Sequence, residues 1–137
     1  MTKNTLDSFI TALQKASEDL LYMSESDYPY KVIRWKGSPE TSLTEEFIRQ
    51  KAKVSDDTPV EIVEFSDFYD PDAPDPDWYG ETEKTESTKF RKLMKLLMDN
   101  LVHLKIFRVG EIEIDIYIMG QADGGEIVGL ATKAIET

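Results

Sequence analysis

Apolar residues recur at helical spacing in two long stretches of the chain. The first stripe predicts an N-terminal helix that ends near Met23, and it comprises Leu6, Phe9, Ile10, Leu13, Ala16, Leu20 and Leu21. The second stripe predicts a helix over residues 82–103, and it comprises Phe90, Leu93, Met94, Leu97, Leu101 and Leu104. A shorter helix is expected to start at Ser42, because Ser42-x-x-Glu45 has the form of a capping box.

Other segments alternate between apolar and polar residues and predict strands. The clearest has isoleucine at positions 112, 114, 116 and 118, with Glu111, Glu113, Asp115 and Tyr117 between them. That pattern is typical of a strand with one buried and one hydrated face. Residues 30–36, 59–65, 106–109 and 127–135 predict further strands. The order of elements predicts one α+β domain over residues 1–137, with a mixed, largely antiparallel sheet and helices packed on it.

One segment is incompatible with a helix or a central strand. Between Asp70 and Asp77 three prolines are interleaved with four aspartates. Proline is not tolerated inside a helix or a central strand, so this segment is predicted to be an extended, open loop.

The charge of the chain is concentrated in one region. The net charge is −11, and residues 56–88 hold twelve acidic residues and one base, Lys84. The rest of the chain has equal numbers of acidic and basic residues. An acidic protein is a poor ligand for nucleic acid or for an anionic membrane, so a basic partner is expected.

Other features narrow the class of protein. The absence of cysteine excludes disulfides, thiolate zinc sites and cysteine nucleophiles. The first residues lack the continuous apolar run of a signal peptide, and no stretch approaches the roughly 18 apolar residues of a membrane span. We therefore expect a soluble, cytoplasmic protein.

Two sets of carboxylates are candidates for chemistry. The Asp70–Asp77 loop suggests a calcium-binding module, but its spacing does not fit an EF-hand, and an open acidic loop is favoured. Glu111, Glu113 and Asp115 suggest a carboxylate-dependent hydrolase, yet a solvated strand face explains them. His103 is expected at the end of a helix, and no pattern supports an enzyme.

Trp78 is the most informative aromatic residue. It directly follows the Pro/Asp loop, so it is either a core anchor or an exposed interface residue, and the pattern favours neither. Glu25 lies in a predicted loop before Pro29, where ordinary surface acids also occur.

Several segments resemble the nuclease A inhibitor family, whose members inhibit sugar-non-specific endonucleases of the ββα-metal type. The similar segments are Leu20–Tyr30, the Asp77-Trp78-Tyr79 triplet, Arg108–Ile118 and Thr132–Thr137. They occur in matching order over nearly the whole chain. The resemblance implies an α/β/α sandwich that plugs the active-site cleft of the nuclease.

The resemblance also implies which residues bind the partner. Glu25 corresponds to a loop glutamate that reaches into the nuclease active site, and Asp77 and Trp78 correspond to a contact pair. The final Glu136-Thr137 pair matches the family ending, in which the threonine approaches the catalytic metal of the enzyme. The metal belongs to the nuclease, so the chain is expected to need no cofactor, to lack enzymatic activity and to be monomeric when free.

Overall fold

The computed structural model describes residues 3–23 and 26–136. Its helices are α1 (Lys3–Ser17), α2 (Glu45–Ala52), α3 (Phe65–Phe68) and α4 (Glu81–Asn100). Its strands are β1 (Leu21–Met23), β2 (Asp27–Pro29), β3 (Lys31–Trp35), β4 (Val60–Glu64), β5 (Val102–Val109), β6 (Glu113–Gln121) and β7 (Ile127–Ile135).

Within the described residues, five strands form the main sheet in the order β3-β7-β6-β5-β4, and all neighbours are antiparallel. The predicted α+β class is confirmed. The alternating isoleucines behave as predicted from Ile114 to Ile118, whose side chains are buried on one face of β6. Ile112 precedes the strand and is exposed.

Helices cover both faces of the sheet. On one face α1 and α4 pack over β5, β6 and β7, and the core there includes Leu13, Leu93, Leu97, Ile116, Ile118 and Leu130. On the other face α2 packs through Ile48 against Phe107, Met119 and Ile127. The result is the three-layer α/β/α arrangement that the resemblance implies.

The first helix is shorter than its apolar stripe predicts. It ends at Ser17, where the hydroxyl donates back to the carbonyl of Leu13 over 2.8 Å. Leu20 is buried after the helix, and Leu21 begins β1. β1 and β2 form an antiparallel hairpin that the sequence did not predict. The prediction of a helix to Met23 is therefore wrong, because the buried Leu20 follows the helix and continues its stripe.

The fourth helix also ends early. It stops at Asn100, whose side chain donates to the carbonyl of Leu96 over 2.9 Å, and β5 begins two residues later. His103 is therefore a strand residue, and its prediction as a helix-end residue is wrong. Its φ of 58° occurs where the β5–β6 pairing shifts register between Val102 and Lys105, as at a β-bulge.

The second helix is capped by a different residue from the predicted one. Thr44, not Ser42, is the N-cap, and its hydroxyl accepts the Phe47 N–H over 3.2 Å. Leu43 just before it is buried and fixes where the chain enters the helix. Among the described residues, no helix is long and apolar enough to cross a membrane.

Candidate partner-binding site

Trp78 is the most exposed large apolar side chain described, with 74% of its surface accessible. Its ring meets that of Tyr79 edge to face, with the ring centres 4.7 Å apart. The alternative in which Trp78 anchors the core is therefore wrong. A tryptophan this exposed, with Asp77 also exposed before it, presents a large rigid surface to a partner.

The Asp70–Asp77 segment is a loop, as predicted, but it is held against α4. The side chain of Asp70 accepts the Asp72 N–H over 2.9 Å and starts a turn. Arg91 of α4 donates to the carbonyls of Pro71 (3.2 Å) and Ala73. The loop that leads to Trp78 is thus fixed by backbone acceptors and does not move freely away from the helix.

Asp75 provides the second attachment of this loop. Its carboxylate accepts the Ser87 hydroxyl over 2.5 Å and lies 3.4 Å from the guanidinium of Arg91. The Ser87 hydrogen bond, followed by the contact with Arg91, lowers the pKa of the Asp75 carboxyl. The charged form of Asp75 therefore stabilises the position of the loop.

The first turns of α4 form an acidic projection next to Trp78. Glu83 accepts the N–H of Gly80 over 3.0 Å, which caps the start of the helix. All six residues of Glu81–Glu86 are exposed, and three of them are glutamates. Acidic residues suit this end of a helix because they oppose the positive end of its dipole. The three glutamates therefore concentrate negative charge within eight residues of Trp78 in the chain.

Glu25 lies outside the described residues, but the strands that flank it are described. Tyr22 pairs with Tyr28 and Met23 with Asp27, so the position of Glu25 falls between the strands of the hairpin. The hairpin is fixed to the sheet because the hydroxyl of Thr132 in β7 donates to the carbonyl of Pro29 over 3.0 Å.

Thr137 also lies outside the described residues, and Glu136 before it is described. The N–H of Glu136 donates to the carbonyl of Ile112 over 2.9 Å, one residue beyond the last β6–β7 pair. The side chain of Glu136 forms an ion pair with Arg108. The chain that leads to Thr137 is therefore fixed by a backbone and a side-chain contact.

Arg108 is a central residue that the sequence did not single out. Its Nε atom lies 3.1 Å from Glu61 of β4, while its Nη2 atom binds Glu136. Burial lowers the pKa of Arg108, but the hydrogen bond and charge of Glu136, with Tyr22 and Glu61, raise it by more. The sequence gives no signal for this role, because only the pairing of β4 with β5 places Arg108 opposite Glu61.

The sheet brings the ends of three strands together. Val109 pairs with Asp115 and Ile135 pairs with Glu113, so β5 ends, β6 begins and β7 ends on one side. We call this side the β5–β6 end of the sheet. The hairpin lies toward it, because Pro29 binds Thr132 near the end of β7.

The acidic projection lies in the same direction. α4 leads through Leu101 directly into the first residue of β5 and packs on the sheet, so its own first turn points toward the β5–β6 end. Within the described residues, no hydrogen bond or ion pair joins Trp78 to Arg108 or Glu136. The structure thus joins Glu136 to Arg108, holds the β1–β2 hairpin on β7 toward the same end, and places Trp78 on a separate projection.

The structure offers no metal site in the described part of the chain, since no three acidic or histidine side chains converge there. In the candidate calcium loop, Asp70 and Asp75 already accept hydrogen bonds from Asp72 and Ser87. No observation therefore favours the calcium-binding alternative.

The three candidate hydrolase carboxylates do not share a strand face. Glu111 precedes β6, and Glu113 lies 3.9 Å from Lys133. Asp115 lines a cavity of about 240 Å³ together with Lys31 and Lys133. Glu113 and Asp115 share a face of β6, but Glu113 lies beside Lys133 and does not line the cavity, so the cavity holds one carboxylate and two lysines.

Comparison with known proteins identifies the family. No curated protein is found to match the chain. The pattern of the nuclease A inhibitor-like protein family matches residues 7–137, which covers every helix and strand described above except the first four residues of α1. The chain belongs to the nuclease A inhibitor-like protein family.

Proposed function

We propose that this protein inhibits a sugar-non-specific endonuclease by binding over its active site. The observation that carries the proposal is the exposed Trp78, which stands beside an acidic projection on a chain of the inhibitor family. Tryptophan is enriched among the residues that carry most of the binding energy at protein interfaces, so an exposed Trp78 suits a contact with a partner.

The charge distribution supports a nuclease as the partner. An enzyme that cleaves nucleic acid without regard to sequence binds phosphates through a basic groove. Residues 56–88 concentrate the negative charge of this chain, and the start of α4 holds three exposed glutamates. Such a field accelerates encounter with a basic cleft, with k_on on the order of 10⁸ M⁻¹s⁻¹ or more at low salt.

In this proposal three groups make the contacts that determine residence time. Trp78, with Asp77, packs against the cleft, while Glu25 reaches into the active site. Thr137, which follows Glu136, offers an oxygen ligand to the metal of the nuclease, a type of ligand that Mg²⁺ prefers. None of these groups is a phosphodiester, so the enzyme is occupied without turnover.

In this proposal the protein acts as a monomer in the cytoplasm and needs no metal or cofactor of its own. Its role is to protect the cell that produces the nuclease. The strongest support is that the hairpin, the acidic projection and the Glu136 segment all lie toward the β5–β6 end.

A titration of nuclease activity tests the proposal. A purified ββα-metal endonuclease is mixed with increasing amounts of this protein and its cleavage of double-stranded DNA is measured. We expect activity to vanish near one equivalent of protein, with no recovery when Mg²⁺ is added in large excess. Full activity at many equivalents against the nuclease of the same cell would contradict the proposal, and recovery with Mg²⁺ would show simple chelation.

A further inference from the structure

We propose that Arg108 is a positioning residue that holds Glu136, the neighbour of the proposed contact residue Thr137, in the orientation that binding to the nuclease needs. This inference rests on the proposed function, because it assigns the means by which the C-terminal contact is presented. Arg108 itself faces Glu61 and Glu136 and is not proposed to touch the partner.

The geometry of the guanidinium is suited to this task. Its two engaged nitrogens bind carboxylates from two different segments, Glu61 in β4 and Glu136 after β7. A planar guanidinium binds two carboxylates in fixed directions, which a lysine ammonium does not. Arg108 therefore sets the direction of the Glu136 side chain relative to the sheet.

The backbone contact of Glu136 needs this support. Its N–H bonds to Ile112 beyond the last residue pair of β6 and β7, at a place where a chain end ordinarily frays. One hydrogen bond fixes the position of a residue but leaves rotation about it. The ion pair with Arg108 restrains that rotation at Glu136.

Arg108 also offsets a repulsion. Glu61 and Glu136 are like charges bound to one cation. Without the cation, the two carboxylates would repel each other and the end of the chain would turn away. Arg108 thus keeps the carboxylates of Glu61 and Glu136 side by side.

The role is one of positioning rather than of global stability. The side chains of Glu136 and Glu61 are 50% and 68% exposed, and Arg108 is 21% exposed. Ion pairs with partners this exposed contribute little to the free energy of unfolding. Loss of Arg108 is therefore expected to release the end of the chain while the sheet stays folded.

Hydrogen exchange tests, in the absence of any nuclease, whether Arg108 restrains Glu136. The Glu136 amide is followed in the wild type, in Arg108→Gln and in the control Glu61→Gln, which removes the other partner of the same cation. We expect Arg108→Gln to speed exchange about tenfold, and Glu61→Gln and Arg108→Lys to change it less. Unchanged exchange in a folded Arg108→Gln variant would overturn the inference.

A measurement of nuclease inhibition tests whether the restraint of Glu136 by Arg108 contributes to binding. Arg108→Gln is compared in the full chain and in a chain that lacks Thr137, with nuclease inhibition as the readout. We expect a loss of about tenfold in the full chain and under about twofold in the shortened one, because both changes remove the same contact. Equal losses in both chains would overturn the inference.

The two proposals fail differently. If the wild type inhibits and Arg108→Gln inhibits equally well, the positioning role is overturned and the proposed function stands. If the wild type inhibits no ββα-metal nuclease, including that of the same cell, the proposed function is overturned, whatever the exchange rates are.

Discussion

The hydroxyl of Ser87 on α4 donates a 2.5 Å hydrogen bond to the carboxylate of Asp75, twelve residues earlier in the chain. This bond and the contacts of Arg91 fasten a proline-rich loop along the helix. Trp78 follows Asp75 by three residues, so the same contacts determine where the exposed ring is presented.

Removal of the Ser87 hydroxyl is expected to raise the pKa of Asp75 toward its ordinary value, because that hydrogen bond is the largest cause of its depression. The measurement is a titration of the Asp75 carboxyl by NMR in the wild type and in Ser87→Ala. Thr85→Ala is the matched control, since the Thr85 hydroxyl binds only the carbonyl of Glu81 in its own helix. An unchanged titration of Asp75 in Ser87→Ala would contradict the assignment.

The same depression predicts how the loop responds to acid. Because the pKa of Asp75 is lower in the folded protein than in the unfolded chain, its contribution is present at neutral pH. That contribution is lost as the pH falls through the lowered pKa of the folded state. We expect the fluorescence of Trp78 to report a local change there, and Ser87→Ala to move the change to higher pH. Trp35 is a second emitter, so the experiment is carried out in a Trp35→Phe background.

Trp78→Ala is expected to weaken inhibition by about thirtyfold or more, mainly through faster dissociation, as is typical of an interface tryptophan. Its melting temperature should stay near that of the wild type, because the ring is 74% exposed. Val102→Ala is the control: Val102 is also 58% exposed but starts β5, away from the β5–β6 end. Similar losses of inhibition in both variants would show that exposure alone, and not position, governs the effect.

The acidic projection is expected to control association more than dissociation. Neutralising Glu81 and Glu86 with glutamine should lower k_on at low salt, and the difference should shrink as ionic strength rises. The control neutralises two other exposed acids on the opposite layer, Glu40 before α2 and Glu46 within it. Stopped-flow association at several salt concentrations measures both pairs. An equal fall in k_on for both would mean that only net charge matters.

Gly129→Ala is expected to destabilise the protein severely. A Cβ atom on Gly129 would lie 1.9 Å from the carbonyl oxygen of Ile118 in the adjacent strand, so the central β6–β7 pair must separate. Overpacking of a core ordinarily costs about 1–3 kcal/mol, and a clash with backbone falls at or above the top of that range. Gly124→Ala is the comparison, because its Cβ would meet nothing and only the φ of 98° opposes it. Chemical denaturation gives both values, and equal stabilities would contradict the close approach.

The sequence predicts the elements better than their ends. The two long stripes locate α1 and α4, and the alternating isoleucines locate β6, because periodicity reflects which face is buried. Both helices end early, since Leu20 and Leu101 are buried after the helix and continue its spacing. The β1–β2 hairpin is too short for its own periodicity to be recognised.

Some residues of the candidate site are likewise predicted from the sequence, and others are revealed only by the structure. The acidic segment and the loop before Trp78 are visible in composition, and the resemblance supplies Glu25, Asp77, Trp78, Glu136 and Thr137 as contacts. Whether Trp78 is buried was not determined by the pattern, because core and interface aromatics have similar neighbours in sequence. Arg108 was missed because its two partners are brought to it only by the pairing of β4 and the ending of β7.

The place of β7 in the sheet has a consequence for biosynthesis. β7 is the last of the described strands in the chain, yet it lies between β3 and β6, and Lys31 pairs with Ala131. As the chain emerges from the ribosome, β3 cannot pair in this sheet until β7 has been made. Long-range pairing of this kind slows folding. Under the proposed function, protection therefore begins only after β7 closes the sheet, which favours synthesis of this protein ahead of the nuclease.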